Sequence, residues 1–205
     1  MIVVDNLLQD PIATEVSKEL FADNRWAGGW ASEGKSNNPA DWHWHRSIWN
    51  DRSNMPEIDV EQQQKDWPMM FELWKHVFTA MKNRTGYDFR PIRCYANLHT
   101  YGVDGYTHTD DGDMTAIYYP CAWNPTWEGG TALYNADHDC IKYCSYKRDR
   151  LFIFPANTLH RAMPVTKDCS ARRVVVVFKT VFDIDSANNA RHYYSDALNK
   201  RENNL

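Results

Sequence analysis

Apolar positions near the start of the chain repeat at the spacing of an α-helix in two places. The first predicted helix begins at Asp10 and has an apolar residue at every fourth position as far as Leu20. The second begins at Asp66 and should end near Gly86, and its Met- and Trp-rich face indicates packing against a core. A short strand, Ile2–Val4, precedes both helices.

After Gly86 the apolar pattern changes from a helical period to an extended one. Six candidate strands follow along the chain: Arg90–Leu98, Thr115–Tyr119, Thr131–Tyr134, Cys140–Tyr146, Leu151–Phe154 and Arg172–Phe182. Helices followed by short strands, without alternation of the two, predict a mainly β fold with supporting helices, either a β-sandwich or a jelly roll. The polar tail beyond Asp183 is predicted to be helical around His192–Lys200.

The chain contains no internal repeat, low-complexity tract or linker. We therefore predict that residues 1–205 form a single domain, because one domain typically takes roughly 100–200 residues. Its helical support is expected over about 1–86 and its jelly-roll core over about 87–182.

Composition and charge narrow the classes of protein. Apolar residues make up 43% of the chain and charged residues 24%, as in globular domains, which excludes a disordered or fibrous protein. The net charge of −4 counts against a nucleic-acid partner, and no apolar run reaches the roughly 20 residues of a membrane span. The start MIVVDNLLQD lacks the basic region of a signal peptide, and the five cysteines form no CxxC pair. Reduced thiols and a cytoplasmic location are therefore expected.

Three residues have the pattern of a metal site. His108 and Asp110 are separated by one position, so in an extended chain their side chains lie on the same face. His160 follows about 50 residues later, directly after the candidate strand in LFIFP. Two histidines and one carboxylate leave coordination positions open, which suits non-haem Fe(II) that must bind a co-substrate and dioxygen together.

Two arginines at the head of the last strand offer a counter-charge for an acidic co-substrate. Fe(II) with one Asp and two neutral His ligands carries +1, and a bidentate 2-oxo dicarboxylic acid would change this to −1 with one carboxylate buried. A buried carboxylate needs a partner, and arginine offers two parallel donors. Strand alternation puts Arg172 on the face that ends in the aromatic Phe178, and Arg173 on the face that ends in Lys179. This pattern predicts that Arg172 points inward.

From about Arg93 to Thr180 the sequence resembles the Fe(II)/2-oxoglutarate-dependent dioxygenases, and among them the prolyl 4-hydroxylase-like branch. Five motifs occur in the family's order: YGVDGYTHTD, TAIYYP, WNPTWEGGTALY, RDRLFIFPANTLHRAMPVT and RRVVVVFK. The resemblance implies a double-stranded β-helix, the jelly roll of this family. It also implies an enzyme that consumes O2 and 2-oxoglutarate, releases succinate and CO2, and hydroxylates a substrate.

The resemblance assigns roles to individual residues. The iron ligands that it implies are His108, Asp110 and His160. The residues that it implies for 2-oxoglutarate are Arg172 as the cation, Tyr119 as a hydrogen-bonding partner and Tyr95 as a further residue of the pocket. By the same resemblance the substrate is a peptidyl proline, and ascorbate keeps the iron reduced.

Two departures from the family pattern bear on the substrate. Phe178 stands where a Trp is common, and the loop DDGDMT has no counterpart of an Arg that some protein-hydroxylating members use for substrate. The alternatives are therefore a hydroxylase of a free amino acid or another small molecule, a nucleic-acid demethylase with the same centre, and a non-catalytic jelly-roll binding module. The intact ligand set and cation count against the binding module.

Aromatic residues and one arginine are candidates for contacts with the substrate. Arg161 directly follows a candidate iron ligand and is predicted to border the pocket mouth. Trp123 and Trp127 lie on the loop after the strand TAIYYP and are predicted either to form part of a lid or to cap the core.

The segment Trp26–Asn54 is rich in Gly, Ser, Asn and Trp and is predicted to be irregular. Long irregular segments inside a domain are often functional, so we expect this segment to border the pocket as well. Its His43 and His45 have same-face spacing, which fits either a second metal site without a visible third ligand or an aromatic loop that packs near the pocket.

Overall fold

The computed structural model describes residues 1–22, 24–31, 42–49 and 60–182. The predicted helix around His192–Lys200 lies outside the described residues, and so does most of the predicted irregular segment Trp26–Asn54. None of the helices in the described ranges is long and apolar enough to span a membrane.

Three α-helices lie in the first part of the chain: α1 (Asp10–Phe21), α2 (Val60–Asp66) and α3 (Pro68–Thr85). Both helices predicted from the apolar pattern are confirmed, but Asp66 ends the separate short helix α2 and does not begin α3. Helix α3 ends as predicted, because Gly86 takes a left-handed conformation (φ +79°) and its N–H caps the carbonyl of Lys82.

Ten strands complete the described fold: β1 (Ile2–Asp5), β2 (Ala27–Trp30), β3 (His43–Trp49), β4 (Phe89–His99), β5 (Met114–Tyr119), β6 (Thr131–Tyr134), β7 (Cys140–Cys144), β8 (Arg150–Pro155), β9 (Leu159–Ala162) and β10 (Arg173–Phe182). Seven of them form a main sheet in the order β1-β8-β5-β10-β4-β3-β2, and three form a minor sheet in the order β7-β6-β9. All the paired strands are antiparallel. This arrangement confirms the predicted jelly roll with supporting helices.

The main sheet has a different core on each face. On its outer face the apolar sides of α1 and α3, with Val16 and Leu73 fully buried, pack against alternate residues of β4 and β10 such as Cys94 and Phe178. On its inner face Phe152, Val175 and their neighbours pack towards the minor sheet. The site described below lies on this inner face, at one end of the space between the two sheets.

The strands β2 and β3 differ from the prediction of irregular structure over Trp26–Asn54. In β3, His43, His45 and Arg46 are buried, although their types favour an exposed loop. Arg46 donates a hydrogen bond to the carbonyl of Leu20 (2.6 Å), a contact with α1 that the local sequence does not show. Strand β3 pairs with β4 and thereby widens the inner face beside the site.

Candidate metal and co-substrate site

Backbone hydrogen bonds fix the loop that carries two of the predicted ligands. His108 and His160 form an isolated antiparallel bridge, in which each N–H donates to the other's carbonyl oxygen (3.0 and 2.9 Å). Two residues on, the N–H of Asp110 donates to the carbonyl of Ala156 (2.7 Å). The loop before β5 is therefore tied to β9 and the turn that precedes it, so residues distant in sequence meet at one point.

The three predicted ligands converge. Asp110 Oδ1 lies 3.6 Å from His108 Nε2, and Asp110 Oδ2 lies 3.5 Å from His160 Nε2. One potential ligand atom from each residue lies within 4.8 Å of the other two. Within the described parts of the chain, this is the only group of three or more such residues close enough to share one ion.

Both histidines present Nε2 to the centre of this group. His108 Nδ1 lies 2.8 Å from the carbonyl oxygen of Tyr106, and His160 Nδ1 lies 2.9 Å from that of Thr158. Because a carbonyl can only accept, Nδ1 carries the proton in each ring and the Nε2 lone pair is free to bind a metal. Burial lowers the pKa of His160 to about 4, so this imidazole is neutral at physiological pH.

The carboxylate of Asp110 is buried and held at both oxygens. Thr115 Oγ1 donates a hydrogen bond to Oδ2 (2.7 Å), and Lys179 Nζ lies 2.9 Å from Oδ1. Burial raises the pKa of Asp110, but the nearby His160 and Lys179 outweigh it and hold the pKa below its usual range. The carboxylate is therefore ionised, as a metal ligand must be.

Lys179 is a neighbour of the site that the sequence analysis missed. Its side chain is only 8% exposed, and it also contacts Asp111 Oδ1 (2.7 Å), which in turn pairs with Arg93. A signal was present in the sequence, because Lys179 shares a strand face with Arg173.

The structure contradicts the predicted orientation of the arginine pair. Arg173 is the inward residue, 1% exposed, whereas Arg172 is exposed and precedes the strand. Arg173 lines the same pocket as the three candidate ligands. Its Nε and Nη2 donate to the carbonyls of Gly129 (2.5 Å) and Gly130 (3.2 Å).

The error has a physical cause in the layer of helices behind the main sheet. The fully apolar face of β10 is used there, where Phe178 packs against Trp49 and Trp74 with ring centroids 5.7 and 5.4 Å apart. The face that carries Arg173 and Lys179 is left for the pocket. The sequence-based prediction placed the apolar face of β10 in the pocket because it did not include the core between the main sheet and the helices.

The two predicted tyrosines occupy different places. Tyr95 lines the pocket directly. Tyr119 is fully buried beside it and donates its O–H to Thr131 Oγ1 (2.8 Å), and it is Thr131 that lines the pocket. Thr131 is thus a second pocket residue that sequence reasoning did not assign.

The three residues predicted to contact the substrate lie outside the pocket lining. His160 and Ala162 of β9 line the pocket, so the alternating Arg161 points to the other side, where it pairs with Asp104 (3.6 Å). Trp123 stacks on Tyr146 (centroids 4.2 Å apart) and meets Trp127 edge-on (5.2 Å). This aromatic cluster covers the core between the sheets, which is the second of the two alternatives given for Trp123 and Trp127.

The two histidines of β3 form no metal site with the described residues. The ring of His43 lies tilted against that of His99 (centroids 4.7 Å apart), and His45 Nδ1 lies 3.0 Å from Asn97 Oδ1. Both rings therefore belong to the aromatic continuation of the pocket floor, which is the second of the two predicted alternatives.

The residues present fit the metal and the co-substrate that the sequence implied. Two imidazoles that present Nε2 and one carboxylate are the facial donor set of non-haem Fe(II). Arg173 is a buried cation whose Nη1 has no hydrogen-bond partner within the described ranges. Its pKa is affected by burial and by three nearby tyrosines, and by no carboxylate of the described residues. An acidic ligand would satisfy this orphaned donor.

Comparison with known proteins gives the class of this site. Residues 95–179 match the family model of the 2OG-Fe(II) oxygenase superfamily. No curated protein matches the chain. The matched segment includes all three candidate ligands, Arg173 and Lys179. This match, together with the convergence of His108, Asp110 and His160, supports a 2-oxoglutarate-dependent dioxygenase that uses Fe(II).

Solved structures share the fold at low sequence identity. One is a prolyl hydroxylase from Trichoplax adhaerens in complex with a peptide fragment of the hypoxia inducible factor oxygen degradation domain. It is 18% identical to this chain (TM-score 0.62), and the alignment covers 92% of this chain and 86% of the hydroxylase. A 2OG-Fe(II) oxygenase family oxidoreductase from Burkholderia pseudomallei is 10% identical (TM-score 0.64; 87% and 84% covered). The epimerase SnoN, in complex with Fe3+, alpha ketoglutarate and nogalamycin RO, is 11% identical (TM-score 0.58; 86% and 77% covered).

Proposed function

We propose that His108, Asp110 and His160 bind Fe(II) and that Arg173 binds the distal carboxylate of 2-oxoglutarate. The observation that carries this assignment is the buried guanidinium without an acidic partner in the same pocket as the three ligands. Bound together, the iron and 2-oxoglutarate would activate O2, with one oxygen atom inserted into a substrate C–H bond and the other taken up as 2-oxoglutarate is oxidised to succinate and CO2.

The protein's own residues orient the reactants and keep water away. The carbonyls behind each Nδ1 aim His108 and His160 at the metal position, and Thr115 and Lys179 hold the third ligand. The apolar side chains of Ile117, Val175 and Val177 line the pocket beside them and limit the entry of water.

For the substrate, we propose a prolyl residue of a peptide. Tyr106 and Tyr101, on the loop before His108, are 48% and 64% exposed, and Gly105 in the same loop lines the pocket. Exposed aromatic rings at a pocket mouth suit proline-containing segments, which dock on aromatic surfaces. Prolyl hydroxylases are also among the proteins that share this fold, and one of them was solved with a bound peptide.

The experiment is a mass-spectrometric assay of proline-containing peptides with Fe(II), 2-oxoglutarate, O2 and ascorbate. The expected result is a gain of one oxygen atom on a proline, with one succinate formed per hydroxylation. Asp110→Ala is the matched inactive control, since it removes one ligand from a site with three. The control must produce neither product.

A small-molecule substrate is the other outcome that the fold accommodates, because SnoN, solved in complex with nogalamycin RO, shares the fold. The same assay separates the two classes if free proline and other amino acids are offered beside the peptides. Hydroxylation of a free amino acid with no peptide modified would overturn the proposal for the substrate and leave the metal and co-substrate assignment standing.

A further inference from the structure

His99 lies beside Arg173 on the floor of the pocket. The register of the main sheet pairs these two residues directly across β4 and β10. Directly opposed residues of antiparallel strands point to the same face, with Cβ atoms about 4.5–5.5 Å apart. Both side chains line the pocket that contains the candidate iron ligands.

The imidazole of His99 has an unmet hydrogen bond. The residue is 3% exposed, and its Nδ1 has no hydrogen-bond partner in the part of the chain that the structure describes. Burial, together with the nearby charge of Arg173, holds the pKa of His99 well below its usual range, so the ring is neutral. A neutral imidazole with the proton on Nδ1 is a hydrogen-bond donor without the cost of a second buried cation.

Two buried nitrogens without a partner in the described residues therefore lie on one wall: Arg173 Nη1, which is a donor, and His99 Nδ1, which is a donor in the Nδ1–H tautomer. A buried donor without a partner costs about 1–3 kcal/mol, so two of them at neighbouring positions of one pocket point to a shared ligand. A carboxylate has two oxygens and can accept from both donors at once. Arg173 supplies the positive charge, and His99 supplies a second hydrogen bond that fixes the orientation of the carboxylate.

We propose that His99 is a co-substrate-binding residue that donates a hydrogen bond from Nδ1 to the distal carboxylate of 2-oxoglutarate, next to Arg173. This inference rests on the proposed co-substrate site and adds a second anchor to it. It makes His99 a determinant of co-substrate specificity, because a 2-oxo acid without the distal carboxylate leaves its donor unsatisfied.

The test is calorimetric titration of the Mn(II)-loaded protein with two ligands of equal chain length. These are 2-oxoglutarate and 2-oxopentanoate, in which a methyl group replaces the distal carboxylate. His99→Leu keeps the bulk of the side chain without a donor, and His99→Asn keeps a donor near the position of Nδ1. His76→Ala, on helix α3, is the control for loss of a histidine outside the pocket, and a thermal melt checks the fold of each variant.

We expect His99→Leu to weaken 2-oxoglutarate roughly tenfold or more, the value of a hydrogen bond to a charged group, and to leave 2-oxopentanoate within about threefold. His99→Asn should stay within about threefold of the parent for both ligands. Equal changes for the two ligands in His99→Leu, or no change for either, would overturn the proposal.

Arg173→Met separates failure of this inference from failure of the proposed function. If Arg173→Met weakens 2-oxoglutarate selectively and His99→Leu does not, the role of His99 is refuted and the co-substrate site stands. If Arg173→Met also fails to discriminate between the ligands, the proposed co-substrate site itself is wrong.

Discussion

Replacement of Lys179 by methionine tests how the buried carboxylate of the metal site is stabilised. Lys179→Met keeps most of the length of the side chain and removes the ammonium that lies 2.9 Å from Asp110 and 2.7 Å from Asp111. Asp110 is 1% exposed and, among the described residues, keeps only the hydroxyl of Thr115 as a hydrogen-bond donor to its side chain. Asp111 is 45% exposed and keeps its ion pair with Arg93.

The expected cost follows from burial. Breaking a buried ion pair by removal of one partner costs about 3–5 kcal/mol, because the other charge stays buried without compensation. Lys147→Met is the matched control: it removes a lysine that is the same 2.9 Å from a carboxylate, that of Asp5, but that is 50% exposed. An exposed pair contributes about 0–1 kcal/mol, so the two variants should differ clearly in their free energies of unfolding.

The assay is chemical unfolding of the metal-free protein and of the protein saturated with Mn(II). A divalent ion bound to Asp110 supplies the positive charge that Lys179→Met removes. Mn(II) should therefore narrow the gap in free energy of unfolding between this variant and the parent. By linkage, Mn(II) must then bind the variant more tightly than the parent, tenfold for each 1.4 kcal/mol by which the gap narrows. A Lys179→Met protein no less stable than Lys147→Met, or a gap that Mn(II) does not narrow, would refute this reasoning.

Three further measurements test other contacts. Arg173→Met should weaken 2-oxoglutarate by about 2–5 kcal/mol in a calorimetric titration, while the exposed Arg172→Met changes it by no more than about 0.5 kcal/mol; the reverse order would restore the register predicted from the sequence. Thr131→Val should lower the free energy of unfolding by about 1–3 kcal/mol, because it leaves the buried Tyr119 O–H without its acceptor, and adding Tyr119→Phe should recover most of the loss. The pKa of Asp5 is lowered to about 2, chiefly by its hydrogen bond to the guanidinium on β8, so its contribution to stability is present above its ordinary pKa of 3.8 and is lost as the pH falls towards 2. The stability of Asp5→Asn, measured by acid titration, should lack the loss that the parent shows between pH 3.8 and 2. The same loss of stability in the variant as in the parent would count against this role of Asp5.

Local chemistry made the ligand set visible in the sequence. Side-chain alternation in extended chain places His108 and Asp110 on one face, and the backbone bridge between His108 and His160 adds the third ligand. Helices α1 and α3 and the later strands other than β9 also followed from periodicity, which left a β-sandwich or a jelly roll open; the family resemblance gave the jelly roll. Side-chain alternation alone gave the two faces of β10 correctly, with Arg172 and Arg173 on opposite sides.

What alternation could not decide was which face meets which neighbour. The choice between Arg172 and Arg173 depends on α3, whose Trp74 takes up the aromatic end of β10 at Phe178. The same limit applies to β3, where Arg46 is buried because Leu20 of α1 accepts its hydrogen bond and Trp67 lies under its guanidinium (4.6 Å). In each case a tertiary partner distant in sequence outweighs the local preference.

Strand β1 gives the fold a late step in its assembly. Its partner is β8, and the ion pair between Asp5 and Arg150 joins residues 145 positions apart; the Asp149 carboxylate that accepts from the N–H of Leu8 is 141 positions away. Contacts of such separation form slowly, because the loop between them must close first. During synthesis β1 leaves the ribosome long before β8 exists, so until then it has no partner in the sheet. Until β1 docks, β8 is an open sheet edge that another chain could pair with, so aggregation during refolding should rise with protein concentration and with any change that weakens β1.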